Sequence, residues 1–211
     1  MRAKSHGARY LIPTTAAAIT AGAMLAAPAV PASGASKAEK QQWAKTRVYV
    51  QGDSLTVGTA RPLSAKIGQK VSQLHVDAQV GRHTATGMAR LARDPRARRS
   101  HVWVVALGTN DAPNPTTIKK HVTRSLKLAG KKREVVWLTL RRPGGYERVN
   151  QMLRKLARSR NRLHVVDWAK QTSRQRHILA GDGVHATHSG YSVRAEMIAS
   201  KTLDIAGQRR N

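Results

Sequence analysis

Ser54 stands in the run Val48-Tyr-Val-Gln-Gly-Asp-Ser-Leu-Thr56. An apolar stretch that enters a Gly-Asp-Ser turn presents a serine hydroxyl at the end of a strand, and Gly52 lets the backbone turn there at low steric cost. A serine hydroxyl is a weak nucleophile at neutral pH and needs a base. His185 offers one. Asp182 lies three residues earlier, in the turn Gly181-Asp-Gly-Val-His185. From there its carboxylate can reach the far imidazole nitrogen, fix the tautomer and stabilise the imidazolium. The tetrahedral oxyanion of acyl transfer needs donors already in place. The backbone N–H groups of Ser54 and Gly81 and the side-chain amide of Asn110 are the candidates. Taken alone, Gly-Asp-Ser is equally a helix start, because Asp and Ser are ordinary N-cap residues. The chemistry depends on the other groups converging with it.

Convergence requires a scaffold. Five short apolar, β-branched runs read as buried strands, at 47–51, 74–78, 101–107, 134–140 and 163–166. Segments with helical spacing lie between and after them, at 63–74, 84–97, 116–129, 146–158 and 189–205. Asn114-Pro115 supplies a cap and a first-turn proline for the third of these. This alternation predicts α/β layers around a parallel sheet. In such sheets the functional groups gather at the carboxyl ends of the strands. Ser54, Gly81 and Asn110 each follow a predicted strand, and Asp182 and His185 precede the last helix. Residues 36–46 read as a polar lead-in without a pattern.

Other polar residues stand near the same strand ends. Arg82, His83 and Thr84 are placed to line a pocket or its rim. Arg141, Arg142 and the Pro143-Gly-Gly145 loop are candidate substrate contacts. Asp53 and Asp111 read as braces of the turns that carry Ser54 and Asn110. Asp167 reads as structural, and His188 as a cap-region residue of the last helix. No pair of histidines has metal spacing. The absence of cysteine excludes disulfides, thiolate nucleophiles and Cys-ligated zinc. No metal or organic cofactor is called for.

Gly52-Asp-Ser-Leu55, Gly81, Gly108-Thr-Asn-Asp111 and Asp182-x-x-His185 resemble, in order and approximate spacing, the four sequence blocks of the SGNH hydrolases, also called GDSL esterases and lipases. The resemblance covers roughly residues 47–206. It implies a flavodoxin-like, three-layer α/β/α sandwich with a five-stranded parallel sheet. It also implies Ser54 as nucleophile, His185 as base, Asp182 as orienting acid, and Ser54, Gly81 and Asn110 as the oxyanion hole. Three further stretches, Val76-Asp-Ala-Gln-Val-Gly-Arg82, Val149-Asn150 and Val165-Val-Asp-Trp168, resemble the extracytoplasmic SGNH domain of membrane acyltransferases that O-acetylate peptidoglycan.

The first 35 residues read as a secretory signal peptide. Arg2, Lys4 and Arg9 form a basic start, an Ala-rich apolar run follows, and small residues and prolines lead to Ser33-Gly-Ala35. The run is too short and weakly apolar for a membrane anchor, and no later segment is long enough to cross a membrane. The 211 residues carry a net charge of +27. Without residues 1–35 there are 35 basic and 11 acidic residues, or +24. A field of that sign draws polyanions. For an exported protein these include anionic cell-wall polymers. No nucleic-acid motif accompanies the charge, and aromatic residues for base stacking are nearly absent.

The expectation is a secreted or cell-wall-associated serine esterase, with its hydrolase domain at residues 47–211. Its substrate would be a small ester or an acylated carbohydrate. Hydrolysis needs only water, whereas the membrane acyltransferase part that would deliver an acyl donor does not appear in these residues. Transfer of acetyl groups to cell-wall glycan is the alternative. A non-catalytic polyanion-binding module is the alternative of another class.

Overall fold

The computed structural model describes residues 34–209. The expected signal peptide and its cleavage region fall almost wholly outside the described residues. The domain alternates helices and strands in the order α1 (Lys37–Lys45), β1 (Arg47–Gly52), α2 (Ser54–Ile67), β2 (Gln73–Ala78), α3 (Thr84–Arg93), α4 (Pro95–Arg99), β3 (Val102–Ala106), α5 (Pro115–Ala129), β4 (Glu134–Leu138), α6 (Glu147–Arg158), β5 (Leu163–Val166), α7 (Trp168–Arg174) and α8 (His188–Gly207). The five strands are all parallel and run side by side as β2-β1-β3-β4-β5. This is the flavodoxin-like order, whose direction of winding reverses at β1 and β3, where ligands of such sheets bind. The expected α/β/α sandwich is therefore the observed fold.

The strands are apolar on both faces because helices cover both. Tyr49, Trp103, Val105, Val135 and Trp137 point to one side, where Met88 and Leu91 of α3, Ile118 and Val122 of α5, and Val149 and Leu153 of α6 pack on them. Val48, Val50, Val102, Val104, Val136 and Leu138 point to the other. There they meet Leu63 and Ile67 of α2 and Ala195, Ile198 and Ala199 of α8. Alternate residues of each strand thus enter opposite cores, as the pleat requires. Every residue of β3, the central strand, is buried.

Three elements depart from the sequence expectation. Residues 36–46 are not a patternless lead-in: Ser36 and Glu39 form a reciprocal capping box that starts α1. Trp43 of this helix donates its indole N–H to the Leu203 carbonyl of α8 at 2.8 Å, which docks α1 onto the domain. The helix expected at 63–74 begins nine residues earlier, at Ser54, and stops at Ile67. Its apolar residues Leu55, Leu63 and Ile67 were in the sequence, but the Thr and Gly residues of the first turns obscured the start. The segment after Asp167, which lies outside every expected helix, holds α7, which Asp167 caps by accepting from the Lys170 N–H. The buried anchor of α7 is Trp168.

At the amino-terminal edge of the sheet, His101 accepts a hydrogen bond at Nδ1 from the Arg47 N–H, 3.1 Å away. Only the neutral ring with its proton on Nε2 can do so. Burial, and then the charges of Arg209, Arg47 and Arg133, push its pKa from 6.5 down to about 4. The unfolded chain therefore takes up a proton that the folded chain refuses. Stability linked to His101 is complete above pH about 6.5 and is lost as pH falls toward 4. His75 and His121 are shifted in the same direction, with burial the first cause in each. The urea midpoint is expected to fall across this window, and the fall should be shallower in His101→Asn. An identical slope in the two proteins would remove His101 from the account.

Candidate active site

Ser54 is the first residue of α2, directly after β1. Asp53 is the N-cap: its Oδ1 accepts from the Leu55 N–H at 3.1 Å. The expected reason for Gly52 is conformational, yet Gly52 lacks a positive φ. Its reason is space. A Cβ there would fall 1.9 Å from Thr56 Oγ1, so the first turn of α2 can fold over the end of β1 only if this residue has no side chain.

The Ser54 hydroxyl meets His185 Nε2 at 3.0 Å. His185 Nδ1 meets Asp182 Oδ2 at 2.6 Å. Asp182 Oδ1 accepts from the N–H groups of Val184 and His185, both at 2.9 Å. The hydrogen bond from His185, followed by those two from the backbone, holds the Asp182 carboxyl at a pKa of about 2. It is a carboxylate throughout the neutral range and accepts the Nδ1 proton of the ring, which leaves Nε2 free to accept from the serine. The turn that carries both residues is closed by Ala180 N–H to His185 C=O at 2.8 Å and Gly183 N–H to Ala180 C=O at 2.9 Å. Gly183 adopts φ +66°, which a side chain would resist. Thr187 then caps α8 through its hydroxyl.

Behind Ser54 lie two buried groups of opposite charge, Asp53 and Arg194. Asp53 is fully buried, and burial raises its pKa while the nearby Arg194 guanidinium opposes the rise. Arg194, on α8, is itself buried. It donates from Nη1 to Thr59 Oγ1 at 3.0 Å and lies over the Trp168 ring, 5.9 Å from the centroid. Burial lowers its pKa to about 10, and Asp53 counters part of that. Asp53 Oδ2 is left without a hydrogen-bond partner among the described residues. The Thr109 hydroxyl lies near enough to favour its charge.

The loops after β2 and β3 are tied to each other. Gly81 sits at φ +72° on the surface, in a turn closed by Arg82 N–H to Gln79 C=O at 3.3 Å. Asn110 donates one amide N–H to the Arg82 carbonyl at 3.2 Å, and the second N–H of a primary amide remains for another acceptor. Asp111 accepts from the Thr84 N–H at 3.0 Å and from the Thr84 hydroxyl, so it brackets the start of α3. Tyr146 donates its hydroxyl to the Asp111 carbonyl at 2.6 Å.

These placements change two of the expected substrate contacts. Arg82 is buried and faces inward: its guanidinium donates to the Asp77 carbonyl and to Asp77 Oδ1, each at 2.8 Å. Burial works against the Asp77 charge, but hydrogen bonds from Arg82 and Arg90 outweigh it and bring its pKa to about 2. Thr84 is also fully buried, in the brace with Asp111. Both residues hold the loops and do not reach a substrate. Arg142 stays at the rim, with Nη1 donating to the Thr109 carbonyl at 2.7 Å. Asp167 is structural, bound by Arg154 at 2.8 Å and by the Thr139 hydroxyl at 3.0 Å.

The sequence reading passed over Arg194. Its signal was a charge in the helical row Tyr191, Arg194, Ile198, where an apolar residue belongs. It also passed over Asp77, whose signal was an acid at the end of an otherwise apolar strand.

No protein-family profile matches the chain. Among curated proteins it is 27% identical over 168 residues to O-acetyltransferase OatA of Staphylococcus aureus, a match that covers 78% of this chain and 26% of that protein. The chain thus spans about a quarter of the length of the curated relatives it matches. Among solved structures it superposes on the lipase/acylhydrolase from Enterococcus faecalis with a TM-score of 0.65 and 18% identity, covering 76% of this chain and 96% of that one. It superposes equally well on the C-terminal catalytic domain of peptidoglycan O-acetyltransferase A from Streptococcus pneumoniae, with a TM-score of 0.65, 21% identity, and the same 76% and 96% coverage. The fold is that of GDSL-type acylhydrolases and of an O-acetyltransferase catalytic domain, in agreement with the resemblance carried by the motifs.

Replacing Arg194 by Met keeps volume but leaves Asp53 buried without its cation. It also leaves the buried Thr59 hydroxyl without its donor, and losing a buried hydrogen-bond partner costs about 1–3 kcal/mol. Arg194→Met is therefore expected to lose an amount in that range in urea unfolding, while Arg194→Lys loses less. A loss below about 1 kcal/mol in the Met variant would mean that Asp53 does not depend on Arg194.

Proposed function

We propose that the chain is a serine esterase of the SGNH type, hydrolysing acetyl or other short-chain O-acyl esters through an acyl-enzyme on Ser54. The observation that carries the proposal is the continuous hydrogen-bond chain from Ser54 through His185 to Asp182, at 3.0 and 2.6 Å. Ser54 Oγ attacks the ester carbonyl as His185 Nε2 takes its proton. The Ser54 N–H lies in the first turn of α2, at the positive end of the helix dipole, and donates to the developing oxyanion there. The Gly81 N–H and the second Asn110 amide N–H complete the oxyanion site. The alkoxide leaves with the proton from His185. Water, deprotonated by the same nitrogen, then releases the acid. Asp182 holds the ring and stays ionised.

The substrate is an acylated carbohydrate or a similarly small ester. The site favours access over enclosure. Asp182 is exposed, and Ser54 and His185 are half-buried. That geometry suits an ester on a polymer. The charge of +24 on residues 36–211 supports association with an anionic cell-wall polymer, and the N-terminal segment supports export. Among the described residues no helix is long and apolar enough to cross a membrane.

A second reading is transfer of the acyl group to a hydroxyl of cell-wall glycan. The likeness to O-acetyltransferase OatA favours it. Both readings share the acyl-enzyme and differ only in the acceptor. Polyanion binding without catalysis is disfavoured, because a retired site has no reason to keep nucleophile, base and acid in register.

A nitrophenyl acetate assay tests the proposal. Ser54→Ala is expected to reduce kcat by at least about 10³-fold, and Asp182→Asn by roughly 10²–10⁴-fold through the wrong tautomer. Turnover by Ser54→Ala equal to the unaltered protein ends the esterase reading. Adding an oligosaccharide acceptor separates the two acceptors: free acetate marks hydrolysis, and acetylated sugar formed at its expense marks transfer.

A further inference from the structure

Between β4 and α6 the chain forms a loop that touches both walls of the catalytic face. Arg142 binds the Thr109 carbonyl at 2.7 Å, one residue before Asn110. Pro143 lies against Gly183, within 3.9 Å of where a side chain there would begin, in the turn that carries Asp182 and His185. Gly144 and Gly145 both take positive φ, 100° and 91°, which folds the loop back toward α6. Behind it opens a cleft of about 710 Å³ that reaches from Leu140 to Ser173. This lies within the usual size range of small-molecule sites, roughly 300–1,000 Å³.

The charges in this cleft do not balance. Its two acids, Glu147 and Asp167, are both taken by Arg154, at 2.9 and 2.8 Å. Arg142 has one guanidinium N–H on the Thr109 carbonyl. Arg141 lines the cleft, and its Nε is buried with no hydrogen-bond partner among the described residues. A buried guanidinium N–H left unsatisfied is costly and calls for an acceptor. Lys170 lines the same cleft, and only its backbone N–H is used, on Asp167. The cleft therefore carries an excess of cation behind the loop that meets the Thr109 and Gly183 segments, and has no acid left to meet it.

We infer that this cleft is a substrate subsite for an anionic oxygen group, carboxylate or phosphate, with Arg141 as its anchor. The inference rests on the esterase reading above. An acyl sugar whose ester carbonyl sits at Ser54 extends past Pro143, and a charged substituent on that sugar enters the cleft. The planar fork of Arg141 presents paired donors to such a group. Lys170 adds a point charge. The chain would then select charged acyl sugars over neutral ones, a selectivity that the triad alone does not supply.

The test uses three acetyl esters of one methyl glucoside: neutral, carboxylated at C6, and phosphorylated at O6. The unaltered protein is expected to show kcat/KM about tenfold or more higher for at least one charged ester than for the neutral one. The better of the two identifies the substituent. Arg141→Ala should bring that ratio close to one, chiefly by raising KM for the charged ester, and Arg141→Lys should keep part of it. A ratio near one in the unaltered protein, or a ratio that Arg141→Ala leaves intact, overturns the subsite. A second readout separates its failure from failure of the esterase reading. Calorimetry with Ser54→Ala measures binding of the charged and neutral esters without turnover. If no ester is hydrolysed, a charge preference in binding that Arg141→Ala removes still supports the subsite, and its absence rejects it.

Discussion

The hydrogen bond from Ser54 to His185 joins residues 131 positions apart, and its 3.0 Å length depends on how closely α8 lies against α2. Both contributing residues stand at helix beginnings. Ser54 opens α2, and His185 is three residues before α8. The two helices share one face of the sheet and press on Val48, Val50 and Val104 from the same side. Gly190 seats the start of α8 against the Ile178 carbonyl, which a Cβ there would strike, and Gly58 lets α2 and α8 approach, since a Cβ there would enter the Tyr191 ring. Arg194 then bridges the pair by its hydrogen bond to Thr59. Close-packed helices transmit small shifts instead of absorbing them. A larger residue at either glycine would move the base away from the nucleophile before it altered any catalytic group.

The other side of the nucleophile is held by polar bonds and not by helix packing. Asp77, at the end of the edge strand β2, binds the guanidinium of Arg82 and the hydroxyl of Tyr49. Arg82 gives its carbonyl to Asn110. Asp111, next to Asn110, holds Thr84 at the start of α3. The loops after the edge strand and the central strand are thus one hydrogen-bonded unit. An edge strand has one neighbour instead of two, so its carboxyl end needs this fastening. The division of labour is physical. Apolar packing sets the distance from nucleophile to base, and a buried ion pair sets the backbone of the loops proposed for the oxyanion.

Much of this was legible because it was local. Strands β1 to β5 were visible as apolar β-branched runs, and Asp182 and His185 because three residues and two glycines make a turn. The start of α2 was obscured because Ser54, Thr56, Gly58 and Thr59 are weak helix formers, held there by the Asp53 cap and by burial against the sheet. The roles of Arg82 and Thr84 were not legible. Position beside a strand end does not say which way a side chain turns, and the acids that turn them inward, Asp77 and Asp111, are five and 27 residues away. Arg194 was hidden for the same reason, since Thr59, which accepts its hydrogen bond, lies 135 residues away. The sequence explained Gly52 by conformation, and the structure explains it by the space that Thr56 takes.

If Ser54 carries an acyl group as proposed, its acceptor is decided by access and by binding, not by the triad. A serine, a histidine and a carboxylate deprotonate water or a sugar hydroxyl by the same proton transfer. Transfer wins only when a bound hydroxyl has a higher effective concentration at the acyl-enzyme than water has. An open site cannot achieve that by excluding water, because Asp182 is itself exposed. It must do so by holding the acceptor. The groups positioned to hold one stand between β4 and α6, where the loop joins the Thr109–Asn110 segment to the Gly183 turn. The residues that would distinguish a hydrolase from a transferase on this scaffold are therefore those of the 141–145 loop, and substitution of the triad would silence both activities without distinguishing them.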